Sequence, residues 1–255
     1  MKIIISPAMK MKVDRESFPV RTKPQFITQA SALASFLKQC NLAELQQIWQ
    51  SSERMTKEGQ KQISALKLAQ TTGLTPAIIS YSGIQYQYMA PDLLTSPALD
   101  YLQQNVRILS GLYGLLRPFD GVWPYRLEMK NKVQGFSQPN LYRFWGSSLA
   151  DTLFSQDDVV INLASKEYSR NITPFLTDAR QMIKIDFQEE HTGKWKTVGV
   201  HAKMARGEMV RFIAANQLTR PQQLRDFNDF GFAYNEEHST SDTYVFRTKF
   251  DFKRH

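Results

Sequence analysis

Short apolar runs alternate with helix-like segments along nearly the whole chain of 255 residues. Apolar runs bounded by polar or turn residues are typical of buried strands. They occur at residues 2–6, 77–81, 106–110, 159–163 and 182–187. From about residue 24 to 70 the apolar residues recur instead at helical spacing. This alternation predicts an α/β fold, with one compact domain over residues 1–255 and a mixed β-sheet flanked by helices.

The C-terminal half carries two more strand signals and one helix. Residues 194–200 follow the 182–187 run across the turn-like segment 190–193, which predicts a β-hairpin. A helix is predicted to begin near Ala202, and residues 244–249 read as an edge strand.

Composition narrows the class of protein. A hydrophobic content of 42% is enough for a large core, and a net charge of +8 favours an anionic partner such as nucleic acid. The only cysteine, Cys40, excludes a disulfide framework, and the four histidines lack metal-ligand spacing, so neither a metal nor a cofactor is expected. The apolar start breaks at Pro7 and no later run is long enough for a membrane span, so we expect a soluble cytoplasmic protein without membrane contact.

The positive charge is concentrated between residues 194 and 225, which hold seven basic residues against one acid, Glu208. On a helix over 202–213, Lys203, Arg206 and Arg211 fall opposite an apolar face. Gly207 falls in the same basic arc, where a missing side chain would let a phosphodiester backbone approach. The alternative is an ordinary solvated face. The following segment, 226–242, has five acids and no Lys or Arg, and it either pairs with the basic surface or forms an exposed acidic loop.

Four further stretches combine cations with aromatic or carboxylate side chains. Segment 109–120 joins a strand end to a two-glycine turn and Arg117, while 124–130 and 141–146 interleave Arg126 and Arg143 with aromatic residues. The alternative there is that the aromatic residues are core and that Arg126 pairs with Glu128 or Asp120. Segment 162–170 lies just past a predicted strand and supplies Lys166 and Arg170, together with Ser165, Glu167 and Tyr168 as a possible acid-base site.

These stretches together resemble the YaaA family of bacterial peroxide stress proteins. The matching pieces keep their order at residues 4–8, 109–118, 124–129, 144–146, 160–165 with 167–168, 202–203 with 205–207, and 211–213. The resemblance implies a cytosolic protein that protects cells from hydrogen peroxide and binds DNA through a positively charged cleft in an α/β fold. It also implies a helix-hairpin-helix element, for which 42–68 is the natural place, although the connecting stretch lacks an apolar-Gly-apolar hairpin.

The leading hypothesis is therefore sequence-independent DNA binding without catalysis. The predicted phosphate contacts are Lys203, Arg206, Arg211, Arg117, Arg126, Arg143, Lys166 and Arg170, and the candidates for base stacking are Tyr125, Tyr142 and Tyr168. An enzyme acting on a nucleotide or a damaged base is the alternative, with Glu128 or Glu167 as general acid-base. DNA is the expected partner and a small anionic ligand a further one; a third interpretation is an acidic protein partner for the basic patch.

Overall fold

A mixed sheet of eight strands forms the centre of the protein in the computed structural model, which describes residues 1–250 and Phe252. The strands of the chain are β1 Lys2–Ile5, β2 Lys10–Met11, β3 Thr75–Pro76, β4 Tyr81–Ser82, β5 Val106–Ser110, β6 Gly114–Leu116, β7 Gly121–Val122, β8 Val159–Leu163, β9 Gln181–His191, β10 Lys194–Lys196, β11 Ala233–Tyr234 and β12 Thr243–Thr248. The order across the main sheet is β11-β12-β9-β8-β1-β5-β6, with β10 paired to β9. Short two-stranded pairs join β2 to β4 and β3 to β7.

The central strands are parallel and the outer ones antiparallel. β1 pairs in parallel with both β5 and β8, and β9 pairs in parallel with β8 and β12. β6, β10 and β11 are antiparallel to their neighbours. Parallel strands are buried on both faces by crossover helices, which explains why β1 and β5 are rich in apolar residues and almost fully buried. The predicted α/β fold with a mixed sheet is confirmed.

Ten helices of the described chain connect and cover the strands. They are α1 Ile27–Gln39, α2 Leu42–Trp49, α3 Glu53–Ala65, α4 Ala77–Ser80, α5 Ile84–Met89, α6 Ser96–Asn105, α7 Leu141–Trp145, α8 Ser148–Phe154, α9 Lys166–Ser169 and α10 Gly199–Ala215. Helix α10 packs along α5 and contacts β9 of the main sheet. No helix within residues 1–250 has the length and apolar character that a membrane span requires.

Two strand predictions are wrong. Residues 77–80 form the helical turn α4, and all four are buried, so the segment has no polar face from which a period could be read. The backbone N–H groups of Ala77 and Ile78 donate to the carbonyls of Asp120 and Pro118 instead of joining a ladder. The C-terminal strand β12 is not an edge strand, because it lies between β9 and the short β11. The predicted hairpin is confirmed, with Lys194 opposite His191.

The helix pair α2–α3 occupies the place considered for a helix-hairpin-helix element. Residues 50–52 link the two helices, and Gln50 rather than a glycine adopts the left-handed conformation, with φ of 47°. The nearest glycine, Gly59, lies inside α3 against the ring of Trp49. The turn therefore lacks the glycine that would let a phosphate approach its amides closely.

Candidate functional site

The carboxyl ends of β1 and β8 frame a cavity of about 440 Å³. Of the two neighbours of β1 in the sheet, β5 comes first in the sequence and lies on one side of β1, and β8 comes later and lies on the other side. The gap between β1 and β8 is therefore the point where the direction of sheet building reverses. In open α/β sheets ligands bind outside the carboxyl ends of the strands at such a point. The cavity is thus placed where the fold itself favours a binding site.

Two serines that come just after these strands connect the strand ends at the cavity. Ser6 follows β1 and Ser165 follows β8, and both line the cavity. The backbone N–H of Ser165 donates to Ser6 Oγ at 2.8 Å, and the two hydroxyl oxygens are 3.2 Å apart. Tyr86 of α5 donates its hydroxyl to the backbone carbonyl of Ser6 at 2.9 Å. These bonds hold the two strand ends and α5 in one fixed arrangement.

One wall of the cavity is rich in hydrogen-bond donors. It contains Lys203 and Arg206 from α10 and Gln85 from α5. Lys203 is exposed, whereas Arg206 is mostly buried and its enclosed Nε has no hydrogen-bond partner among the described residues. Burial lowers the pKa of Arg206, and nearby Asp186 opposes that shift. Gln85 is only 6% exposed, and its Nε2 also lacks a partner within the described chain.

The lining also carries two carboxylates, those of Glu128 and Glu167. Lys130 Nζ lies 3.4 Å from Glu128 Oε2 and 3.8 Å from Glu167 Oε2, so the two acids share one ammonium group. Burial, followed by the charge of Glu128, raises the pKa of Glu167, while the backbone N–H and the charge of Lys130 oppose the shift. A carboxyl group with a raised pKa beside a second carboxyl group is an arrangement suited to proton transfer.

A smaller recess adjoins this cavity and contains Arg126. Its lining shares Glu128 and Tyr168 with the larger cavity. No ion pair joins Arg126 to Glu128 or Asp120 in the described chain. Lys10, which sequence reasoning did not select, is exposed and also lines the larger cavity. The structure therefore brings Lys203, Arg206 and Arg126 to one region and adds Lys10 to them.

The other five predicted cations do not line this cavity or the recess. Arg117 follows β6, which is antiparallel to β5. It therefore lies near Arg107 and Lys2, at the amino end of β1. The cavity lies at the other end of this strand, the carboxyl end. Arg143, Lys166 and Arg170 are exposed, and Arg211 lies 3.9 Å from Glu208. The expectation that Arg117 and Lys203 line one cleft is therefore wrong, because strand direction separates them.

The three candidate stacking tyrosines differ in exposure. Tyr125 is 4% exposed, and its hydroxyl lies 2.8 Å from that of Tyr81 and 2.7 Å from Ser110 Oγ, so its ring is not open to a base. Tyr168 is also buried but lines the cavity. Tyr142 is half-buried, donates its hydroxyl to the Glu167 carbonyl and has the Arg170 guanidinium 5.0 Å from its ring centroid.

Gly207 has a different role from the one predicted. A Cβ built on it would lie 2.3 Å from the carbonyl oxygen of Gln85 and 2.9 Å from the backbone nitrogen of Met89. The glycine therefore lets α10 approach the backbone of α5 and faces the protein interior, not a phosphodiester. This close approach sets the position of Lys203 and Arg206 relative to Gln85.

The acidic segment 226–242 does not neutralise the basic helix. No ion pair in the described chain joins one of its acids to Lys203, Arg206 or Arg211. It contacts the basic region through aromatic rings instead, since the guanidinium of Arg225 lies 4.8 Å from the ring centroid of Tyr234. Among residues 1–250 and 252 no group of three or more His, Cys, Asp or Glu side chains is placed to hold a metal ion.

Sequence reasoning missed Ser6, Gln85 and Lys10. Ser6 had a usable signal, because it follows a predicted strand just as Ser165 does. Gln85 had none, since its role comes from α5 packing on α10, a long-range contact.

Comparison with known proteins agrees on one family over nearly the whole chain. The profile of the family described as "Peroxide stress protein YaaA" matches residues 1–238. A UPF0246 protein of Lactobacillus helveticus is 58% identical over 255 residues, which is the full length of both chains. The UPF0246 protein LBA1843 of Lactobacillus acidophilus is 56% identical over the same length. A UPF0246 protein of Lactiplantibacillus plantarum is 45% identical, covering 96% of this chain and 98% of the relative.

Proposed function

Because this chain belongs to the YaaA family of peroxide stress proteins, we propose that it acts in the peroxide stress response by binding DNA at the cavity between β1 and β8. The observation that carries the proposal is the meeting of Lys203 and Arg206 with Lys10 around that cavity. Arg126 extends the basic region into the adjoining recess. A local group of cations attracts a polyanion by long-range electrostatics and then contacts its phosphates.

The contacts available to DNA are those to phosphates. The exposed members of the basic group, Lys203 and Lys10, can move toward a backbone without losing an ion pair within the described chain. Contacts of this kind fix the position of a duplex but do not read its sequence. Protection from peroxide would then come from shielding or repair of the bound DNA. A chain with one cysteine has little capacity to reduce peroxide itself.

A salt titration with matched charge deletions tests this proposal. We expect Lys203→Ala, alone and with Lys10→Ala, to weaken binding of a short duplex and to reduce the slope of log K against log salt by about 0.9 per lost phosphate contact. Arg117→Ala removes the same charge near the amino end of β1, away from the cavity, and should leave affinity and slope as in the wild type. An equal loss from Arg117→Ala and Lys203→Ala would contradict an interface at the cavity.

A second candidate function is supported by the position of Glu128 and Glu167, whose carboxylates both lie near the ammonium group of Lys130. A carboxyl group with a raised pKa, that of Glu167, next to a second carboxyl group can serve in acid-base catalysis on a nucleotide or a damaged base. Incubating defined damaged and undamaged duplexes with wild type and Glu167→Gln tests it. Product formation that Glu167→Gln abolishes while DNA affinity is retained would support an enzyme, and no product from any duplex would reject it.

A further inference from the structure

Two buried hydrogen-bond donors in the cavity wall have no partner within the described chain. They are Gln85 Nε2 and Arg206 Nε, which belong to two residues on different helices that both line the same cavity. A buried donor without a partner costs free energy, and such groups in native proteins call for an explanation, for example a missing ligand. Both unpartnered atoms donate, so the missing group accepts hydrogen bonds.

Charge specifies that group further. Lys203 and Lys10 line the cavity with Arg206, so this wall favours an anion. A guanidinium, an ammonium and an amide N–H together supply the donors that a phosphate group binds. Lys203 and Arg206 lie three residues apart on α10, which places them on neighbouring positions of one helix face.

The two carboxylates of the lining argue against an inorganic anion as the complete ligand. Glu128 and Glu167 would repel a second phosphate, but they accept hydrogen bonds from hydroxyl or amino groups. The cavity volume of about 440 Å³ falls in the range of about 300–1,000 Å³ that is typical of small-molecule sites. Ser6 and Ser165 of the lining add further hydroxyl partners.

Because the lining contains both cations and carboxylates, we infer that the cavity is a binding site for a phosphomonoester with a polyhydroxyl body. Such a ligand is a sugar phosphate or the 5′-phosphorylated end of a nucleic acid strand. The phosphate contacts Arg206, Gln85 and Lys203, and the hydroxyl groups face Glu128 and Glu167. The inference uses the same cavity as the proposed DNA interface, but it does not require DNA binding.

Calorimetric titration with ribose 5-phosphate tests the site directly, with ribose and inorganic phosphate as controls. We expect ribose 5-phosphate to bind at least about tenfold more tightly than either control, because each control lacks one half of the contacts. Wild type that binds ribose 5-phosphate no more tightly than inorganic phosphate would overturn the inference.

Two pairs of variants assign the contacts. Arg206→Met and Gln85→Leu should each weaken ribose 5-phosphate binding, the former by about tenfold or more because a charged hydrogen bond is lost. The matched controls are Arg220→Met, at an exposed residue beyond the C-terminal end of α10, and Gln87→Leu, at an exposed residue of α5. Both should bind as the wild type does. Wild-type affinity in Arg206→Met and Gln85→Leu would reject the assigned contacts.

Stability measurements show whether a variant loses ribose 5-phosphate affinity because it misfolds. Gln85→Leu should leave the thermal midpoint unchanged or raise it, since it removes a buried amide whose nitrogen is unpartnered. Lys203→Met changes an exposed residue and supplies an independent variant, for which a loss of ribose 5-phosphate affinity is again expected.

A duplex with 5′-phosphate ends, compared with the same duplex carrying 5′-hydroxyl ends, separates the two sources of the phosphomonoester. Preference for the phosphorylated duplex, competed by ribose 5-phosphate, identifies a strand end as a ligand, and competition without that preference identifies a free sugar phosphate. If DNA binds and Lys203→Ala weakens it but ribose 5-phosphate neither binds nor competes, this inference fails while the proposed function stands. If ribose 5-phosphate binds and no duplex does, the proposed function fails and this inference stands.

Discussion

Ser6 Oγ accepts a hydrogen bond from the backbone N–H of Ser165 at 2.8 Å, although 159 positions of sequence separate the two residues. The bond ties the carboxyl end of β1 to that of β8 at the cavity. The hydroxyl of Ser165 adds a second, longer contact of 3.2 Å to the same oxygen. The two serines thus contribute unequally, since Ser6 takes part in both contacts through one atom.

Ser6→Ala should therefore destabilise the protein more than Ser165→Ala does. Removing the Ser6 hydroxyl leaves the backbone N–H of Ser165 without that acceptor, at a cost of about 1–3 kcal/mol. Ser165→Ala keeps the backbone bond and loses only the longer contact, which is worth about 1 kcal/mol or less. Urea unfolding of both variants measures the difference. Equal free energies of unfolding for the two would show that the backbone bond adds nothing.

Gly207→Ala should destabilise the protein even though alanine is the better helix former. The added methyl group meets the Gln85 carbonyl at 2.3 Å, and overpacking of this kind typically costs about 1–3 kcal/mol. Gly199→Ala is the matched control on the same helix, because no atom lies within 4 Å of its Cβ position. Thermal unfolding should show a lower midpoint for Gly207→Ala only. An unchanged midpoint would mean that α5 and α10 can separate at no cost.

The stability of the protein should fall as pH rises through the titration of Glu167. Burial and the charge of Glu128 raise the pKa of Glu167, so the folded state binds a proton more tightly than the unfolded chain does. The favourable contribution is complete below the ordinary glutamate pKa and is lost as pH rises through the raised one. Urea unfolding at a series of pH values should show this slope in wild type and a flatter one in Glu167→Gln. Identical profiles would contradict it.

Lys130→Met provides the opposite control for the same titration. Lys130 lowers the pKa of Glu167 through both its charge and its backbone N–H. Removing only the charge should move the pKa of Glu167 further upward, which a carboxyl-carbon NMR titration measures. A downward shift would show that the ammonium does not stabilise the ionised carboxylate.

The sequence predicted best those elements whose signal is local. Short runs rich in β-branched and other apolar residues located β1, β5 and β8, which are buried parallel strands, and the alternation of apolar and polar residues located the first half of β9. The same signal failed at residues 77–80, where a fully buried helical turn has an equally uninterrupted run. Length and periodicity cannot separate the two cases in so short a segment.

The candidate site was predictable only in part, since it depends on which strands become neighbours. Glu128, Glu167, Lys203 and Arg206 were all identified from their local patterns, and all line one cavity. Arg117 had an equally strong local pattern, but β6 runs antiparallel to β5 and places Arg117 near the amino ends of the parallel strands, away from the cavity. Gly207 was placed correctly on a helix but on the wrong face, because its neighbour α5 is more than a hundred residues away in sequence.

The position of β12 has a consequence for biosynthesis. This strand pairs with β9 from Thr243↔Lys184 to Thr248↔Glu189, so one of the neighbours of β9 consists of residues that are translated only after α10. Until they leave the ribosome, the backbone amides and carbonyls along that side of β9 face water or other nascent chains. An open strand edge of this kind promotes association between chains. The sheet can therefore be completed only after β12 has left the ribosome, and the emerging polypeptide is prone to association over that interval.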